Sequence, residues 1–75
     1  MMTLMTLEAG DSAVIDNIIT NTDTVHRLES LGFVPGKSVI VLRCKNGSRH
    51  VRIGTTEWVM RDSTADLVQL RDKYV

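Results

Sequence analysis

The sequence predicts a mainly β domain, a small closed or nearly closed barrel with one short helix inserted early and a short helical turn before the last strand. Three observations carry this. Short strand-like runs recur with turn signals between them, roughly every ten residues. Asn46-Gly47 separates two of those runs as a two-residue hairpin loop would. Helical spacing occurs in one stretch, with Val25, Leu28 and Leu31 three residues apart. The 75 residues are expected to form a single domain, 1–75, with its core at about 7–70. A chain of this length buries only about 60% of the surface its unfolded form exposes.

Taking the elements in order, Gly10-Asp11 is a turn signal, and the β-branched run Ala13 to Ile19 reads as the first strand, interrupted by Asp16 and Asn17. Thr22-Asp23 offers an N-cap for the helix. Leu28 lies on the apolar face with Val25 and Leu31, while Arg27 and Glu29 turn away, and Gly32 stops the helix because glycine takes a positive φ without a Cβ penalty. Pro35-Gly36 fits the two central positions of a type II turn.

Ser38 to Cys44 and Arg49 to Ile53 then flank the hairpin loop. A two-residue loop sets Lys45 against Ser48, Arg43 against His50, Leu42 against Val51 and Ile40 against Ile53. One face then holds Ile40, Leu42, Cys44, Val51 and Ile53, whereas a three-residue loop would set Ile40 against Arg52 and Leu42 against His50, mixing apolar and charged groups. The first register predicts a buried, inert Cys44 and an outward stripe of Arg43, Lys45, His50 and Arg52 together with Val41. Arg49 falls beside Cys44 at the tip, its stem on apolar surface and its guanidinium in water.

Glu57 to Arg61 alternates, with Trp58 and Met60 on the core side and Glu57, Val59 and Arg61 on the other. Ser63 or Thr64 can cap one helical turn through Asp66, Leu67 to Leu70 would be the last strand, and Tyr74-Val75 is expected to fray.

Nine acidic residues balance nine Lys and Arg, so no long-range field favours nucleic acid or an anionic membrane. Locally the balance fails. Arg43, Lys45, Arg49 and Arg52 share a stretch without Asp or Glu, while Glu8, Asp11 and Asp16 dominate the start. The single cysteine excludes an intramolecular disulfide and fits the cytosol. Met1 to Leu7 lacks the basic flank and length of a signal peptide. Cys44, His26 and His50 are the natural metal ligands, but a metal site needs three or four converging donors, and the register sends Cys44 and His50 to opposite faces. No base is paired with the thiol, and the glycines match no phosphate-binding loop. The expectation is a non-enzymatic binding module without metal or cofactor, its partner face the stripe Arg43, Lys45, His50 and Arg52.

The run from Arg27 to Val39, Arg-Leu-Glu-Ser-Leu-Gly-Phe-Val-Pro-Gly-Lys-Ser-Val, resembles the FeoA family, the accessory proteins of bacterial ferrous-iron uptake, in content and spacing. Leu7, Gly10, Met60-Arg61 and Ala65 extend the likeness to residues 7–70. The resemblance implies an SH3-like barrel that works in the cytoplasm with FeoB, the membrane ferrous-iron transporter carrying a cytosolic G-domain. It also implies that Arg27, Leu28, Leu31, Gly32, Pro35, Gly36, Met60 and Arg61 are signature residues with a mainly structural role. A related barrel ends diphtheria-toxin-repressor-type iron regulators. No DNA-binding helical domain precedes this one, so a stand-alone partner protein is the expectation. The alternative is a small barrel binding nucleic acid through the basic hairpin; zero net charge and the lack of an aromatic on the stripe argue against it. One departure stands out: relatives often carry an Ala-Pro, Gly and Pro pattern after the second strand, where Cys44 to Ser48 here makes a tighter turn sharing only Gly47.

Overall fold

The computed structural model describes residues 2–71, so the expected fraying of Tyr74-Val75 falls outside the described residues. A 3-10 turn, Leu4–Thr6, precedes β1 (Ser12–Ile18), α1 (Thr22–Ser30), β2 (Ser38–Lys45), β3 (Ser48–Ile53), β4 (Thr56–Arg61), α2 (Asp62–Ala65) and β5 (Val68–Leu70). The strands form one antiparallel sheet in the order β4-β3-β2-β1-β5. Extents of 29 × 28 × 24 Å leave no thin dimension, so the sheet curves around its core. Leu4, Ile15, Phe33, Val39, Val41, Val51 and Val68 are fully buried there. The edge strands β4 and β5 do not pair with each other among the described residues, so the barrel is open rather than closed.

Local chemistry sets the connections. Asn21, not Thr22 or Asp23, caps α1: its Oδ1 accepts from the Thr24 N–H, and Thr22 and Asp23 are already helical. At the other end Gly32, at φ +108°, donates to the Glu29 carbonyl and Phe33 to that of Leu28, the paired bonds of a Schellman stop, with Phe33 and Leu28 both buried. Pro35-Gly36 makes the expected type II turn, closed by Lys37 N–H to Val34 O at 3.2 Å with Gly36 at φ +91°. That turn is then tied to β1, since Gly36 donates to Ile15 and Ile15 to Lys37. The polar interruption in β1 becomes a bulge: the pairing with β5 shifts between Ile15 and Asn17, and Asn17 Oδ1 accepts from the Ile18 N–H.

The hairpin departs from its expected register halfway along. Asn46 and Gly47 both take positive φ, 48° and 81°, as a type I′ loop requires, and Lys45↔Ser48 and Arg43↔His50 pair as expected. Beyond that point β2 carries one extra residue, Leu42, so Val41 faces Val51 and Ile40 faces Arg52. Val41 is therefore buried rather than outward, and Val39 and Val41 fill the core in place of Ile40 and Leu42, which are half-buried. The stretch Val39 to Leu42 is apolar at every position, so either phase satisfies burial. What selects one is the backbone: Val41 bonds both ways to the first turn, its N–H to Asp11 O and its carbonyl to Gly10 N–H.

Two further expectations fail at the tip. Cys44 pairs with Arg49 but lies where the hairpin runs past the core, and it is exposed. Arg49 is the residue that turns in, only 6% exposed and the one buried charged residue among those described. Its Nε donates to Asp62 Oδ1 at 2.9 Å, and its Nη1 to the carbonyls of Leu4 at 2.7 Å and Leu7 at 2.8 Å. These bonds span the open seam of the barrel. On one side the N-terminal segment lies along β5, through Leu70 N–H to Met2 O and the Thr3↔Gln69 bridge. On the other, β4 runs into α2, whose Asp62 N–H binds Gly47 O. Arg61 precedes α2 without a side-chain cap, and Ser63 and Thr64 lie inside it rather than capping it. Trp58 and Met60 pack against the core as expected, and Trp58 Nε1 donates to Leu31 O at 3.0 Å.

Two measurements follow from the hairpin tip. A maleimide should label Cys44 in the native protein nearly as fast as in denaturant; strong native protection would show that the hairpin tip is covered and the thiol buried. Arg49→Met should lower stability by about 3 kcal/mol, because it leaves Asp62 and two buried carbonyls without their donor, and so lower Tm by roughly 12–24 °C in thermal unfolding. Arg43→Met, an exposed change, should stay within about 0.5 kcal/mol of the parent, and equal effects of the two substitutions would refute the seam role of Arg49.

Candidate functional site

Period-two alternation on β2, β3 and β4 builds one outer face from three cross-strand rows. The first is Arg43, His50 and Val59; the second Lys45, Ser48 and Arg61; the third Ile40, Arg52 and Glu57. The bulge at Leu42 matters here, because it returns Ile40 to the face of Arg52 while Arg43 and Lys45 keep theirs. The expected stripe of Arg43, Lys45, His50 and Arg52 is therefore brought together on one surface. Val41 is absent from it.

Reading the hairpin alone missed what β4 adds. Gly54 and Thr55 form a second tight turn, Ile53 pairs with Thr56, and the ladder carries Glu57, Val59 and Arg61 onto the same face. Arg61, a signature residue expected to be structural, is exposed there beside Ser48 and Lys45. The signal was present in the alternation of residues 57–61; the pairing of β4 with β3 was needed to use it.

The face has a definite charge and shape. Arg43, Lys45, Arg52 and Arg61 stand against one carboxylate, Glu57, on a chain whose net charge is zero. His50 Nε2 lies 2.7 Å from Glu57 Oε1, which engages that carboxylate within the face. Val59 is 72% exposed among these cations. A shallow cleft of about 220 Å³, lined by Arg43, Lys45, Ser48, Arg49, His50 and Val59, runs beside it.

Other candidate groups do not converge. Cys44 shares the register of Arg49 and Val51, while His50 belongs to the outer rows, and His26 is exposed on α1. Among the described residues no group of three or more His, Cys, Asp or Glu side chains could hold a metal ion. No helix there is long and apolar enough to cross a membrane. Of the remaining signature residues, Leu28, Leu31, Gly32, Pro35 and Gly36 shape the helix stop and the turn after it, Met60 packs on the core, and Arg27 is exposed on α1.

A family model described as the FeoA domain matches residues 2–72. Comparison with curated protein sequences finds no match. Among solved structures, the chain is similar to FeoA of Stenotrophomonas maltophilia complexed with zinc, described as an SH3 domain protein, at 30% identity and TM-score 0.84 over 95% of this chain and 91% of that one. FeoA from Chlorobium tepidum is 28% identical with TM-score 0.84, covering 92% of this chain and 68% of that one. An iron uptake regulatory protein, FeoA, shares the fold at TM-score 0.87 and 22% identity, over 93% of this chain and 95% of that one. The resemblance first carried by the run Arg27 to Val39 thus extends over an SH3-like barrel, and the chain belongs to the FeoA family.

Proposed function

We propose that this protein is a non-enzymatic accessory factor of ferrous-iron transport that works in the cytoplasm by docking on the cytosolic part of a FeoB-type membrane transporter. The observation that carries the reading is the FeoA match over residues 2–72. It is supported by the Stenotrophomonas maltophilia relative, for which a role as a bacterial ferrous iron transport activating factor has been suggested. The outer face of β2–β4 is the docking surface, because it concentrates exposed cations around an exposed aliphatic side chain on paired strands. Such a surface recognises and orients; it has no activated nucleophile to make or break bonds.

Docking alone changes nothing in the transporter unless the barrel binds two of its conformational or nucleotide states unequally. A tenfold difference in affinity between them corresponds to about 1.4 kcal/mol of shift, within reach of a few rim contacts. The charges mainly raise the association rate, and contacts with the aliphatic Val59 slow dissociation.

The test is association of the purified protein with the isolated cytosolic part of a FeoB-type transporter at about 0.15 M salt. Binding is expected, and Arg43→Glu combined with Arg52→Glu should weaken it at least about tenfold while lowering the melting temperature only slightly, since both side chains are exposed and the one new like-charge pair, with Glu57, costs about 1 kcal/mol or less. No association with the transporter, alongside submicromolar binding to single-stranded nucleic acid that the same variant loses, would overturn the proposal.

A further inference from the structure

We infer that the outer face of β2–β4 receives an acidic, extended segment of a protein partner, with carboxylates over Arg43, Lys45, Arg52 and Arg61 and an apolar side chain seated against Val59. This rests on the docking role proposed for that face and supplies the chemistry of what docks there.

Spacing supports an extended chain. Arg61 lies two residues from Val59 along β4, about 7 Å away, and on the opposite side Arg52 of β3 is its diagonal neighbour, about 7–8 Å away. In an extended segment, side chains two positions apart are about 7 Å apart on one face. A segment alternating towards the barrel can therefore place an apolar residue at Val59 and carboxylates on either side of it. The cleft beside Val59, about 220 Å³, is smaller than the roughly 300–1,000 Å³ typical of small-molecule pockets, which favours a side chain over a free metabolite.

Charge selects the sign of the partner. Four permanent cations face one carboxylate, and that carboxylate is already in contact with His50. Val59 selects a protein over a nucleic acid: an aliphatic side chain 72% exposed on the edge strand β4 gives a base no aromatic platform to stack on, whereas an aliphatic or aromatic side chain would cover it. No Trp, Tyr or Phe lies in the three rows.

The experiment titrates the protein into a fluorescein-labelled peptide of sequence Glu-Asp-Glu-Leu-Glu-Asp-Glu. Comparisons are the same peptide with alanine for leucine, a peptide with lysine at every acidic position, and a single-stranded oligothymidine. The acidic leucine peptide should bind at least about tenfold tighter than the lysine peptide or the oligothymidine, with affinity falling as salt rises. Val59→Ser should weaken it about fivefold and remove the preference for leucine over alanine. Arg43→Glu with Arg52→Glu should weaken it at least about tenfold, while Lys37→Glu, an exposed reversal in the turn before β2, should not. Tighter binding of the oligothymidine, or indifference of the leucine preference to Val59→Ser, would overturn the inference. If the transporter's cytosolic part binds through Arg43 and Arg52 but the acidic peptide does not bind, the docking face stands and this ligand chemistry falls. If the peptide binds as described and the transporter does not, the chemistry stands and the transporter assignment falls.

Discussion

The rest of the structure depends on the guanidinium of Arg49. A five-stranded sheet of 3 to 8 residue strands curves far enough to enclose a core but stops before its edges meet. The gap falls between the N-terminal segment on β5 and the β4–α2 corner, where Leu4 and Leu7 present carbonyls without strand partners. Buried carbonyls need donors, and a neutral side chain supplies too few in the right directions. Arginine presents a fork of donors on a stem long enough to cross the gap, and Asp62 on the far side balances its charge. Asp62 is 28% exposed, so the pair keeps some solvent at one end, which reduces the desolvation that a fully buried pair would carry.

The same strand whose Arg49 bridges the open seam also builds the outer face of the barrel. In β3 the alternation sends Arg49, Val51 and Ile53 inward and His50 and Arg52 outward, with Ser48 on the outward side at the hairpin tip. The seam contact and the candidate docking surface are therefore opposite sides of one short strand. Anchoring Arg49 fixes the direction in which its neighbours point, and β2 and β4 inherit that direction through the ladder. The face needs this because its rows come from three strands, and a slip of one residue in either pairing would replace Val59 or Arg43 by a core-facing group.

How much of this was legible in the sequence depended on whether one phase of a pattern was distinguishable from the other. Turn chemistry was legible: Gly32, Pro35-Gly36 and Asn46-Gly47 occupy positions where positive φ or a fixed proline φ leaves few alternatives. Trp58 and Met60 were legible because the charged residues Glu57 and Arg61 bracket them in the opposite phase. Val39 to Leu42 was not, since four consecutive apolar residues carry no phase, and the bulge is selected by backbone bonds to Gly10 and Asp11 that no local pattern reveals. Cys44 was misread separately: its pairing with Arg49 is the expected one, but the hairpin tip extends beyond the core and leaves the thiol exposed. Arg49 was misread for a different reason. A charged residue at a hairpin tip is ordinarily solvated, and its burial follows from carbonyls more than 40 positions away in sequence. The expected stripe survived these errors because Arg43, Lys45 and His50 lie on the loop side of the bulge, while Arg52 is paired in register with β4; the contributions of Val59 and Arg61 awaited knowledge of which strands are neighbours.

The claim that Arg49 holds the open seam of the barrel together is tested most directly by the exchange of its own Nε proton, followed by nuclear magnetic resonance beside those of Arg43 and Arg52. The account predicts that the Arg49 signal is resolved and exchanges at least about 100-fold more slowly than the other two, in step with the slowest amides of β3, because the seam opens only when the barrel unfolds. Exchange of the Arg49 proton as fast as that of Arg43, in a protein whose β3 amides remain protected, would show that the seam opens independently of the fold and would contradict it.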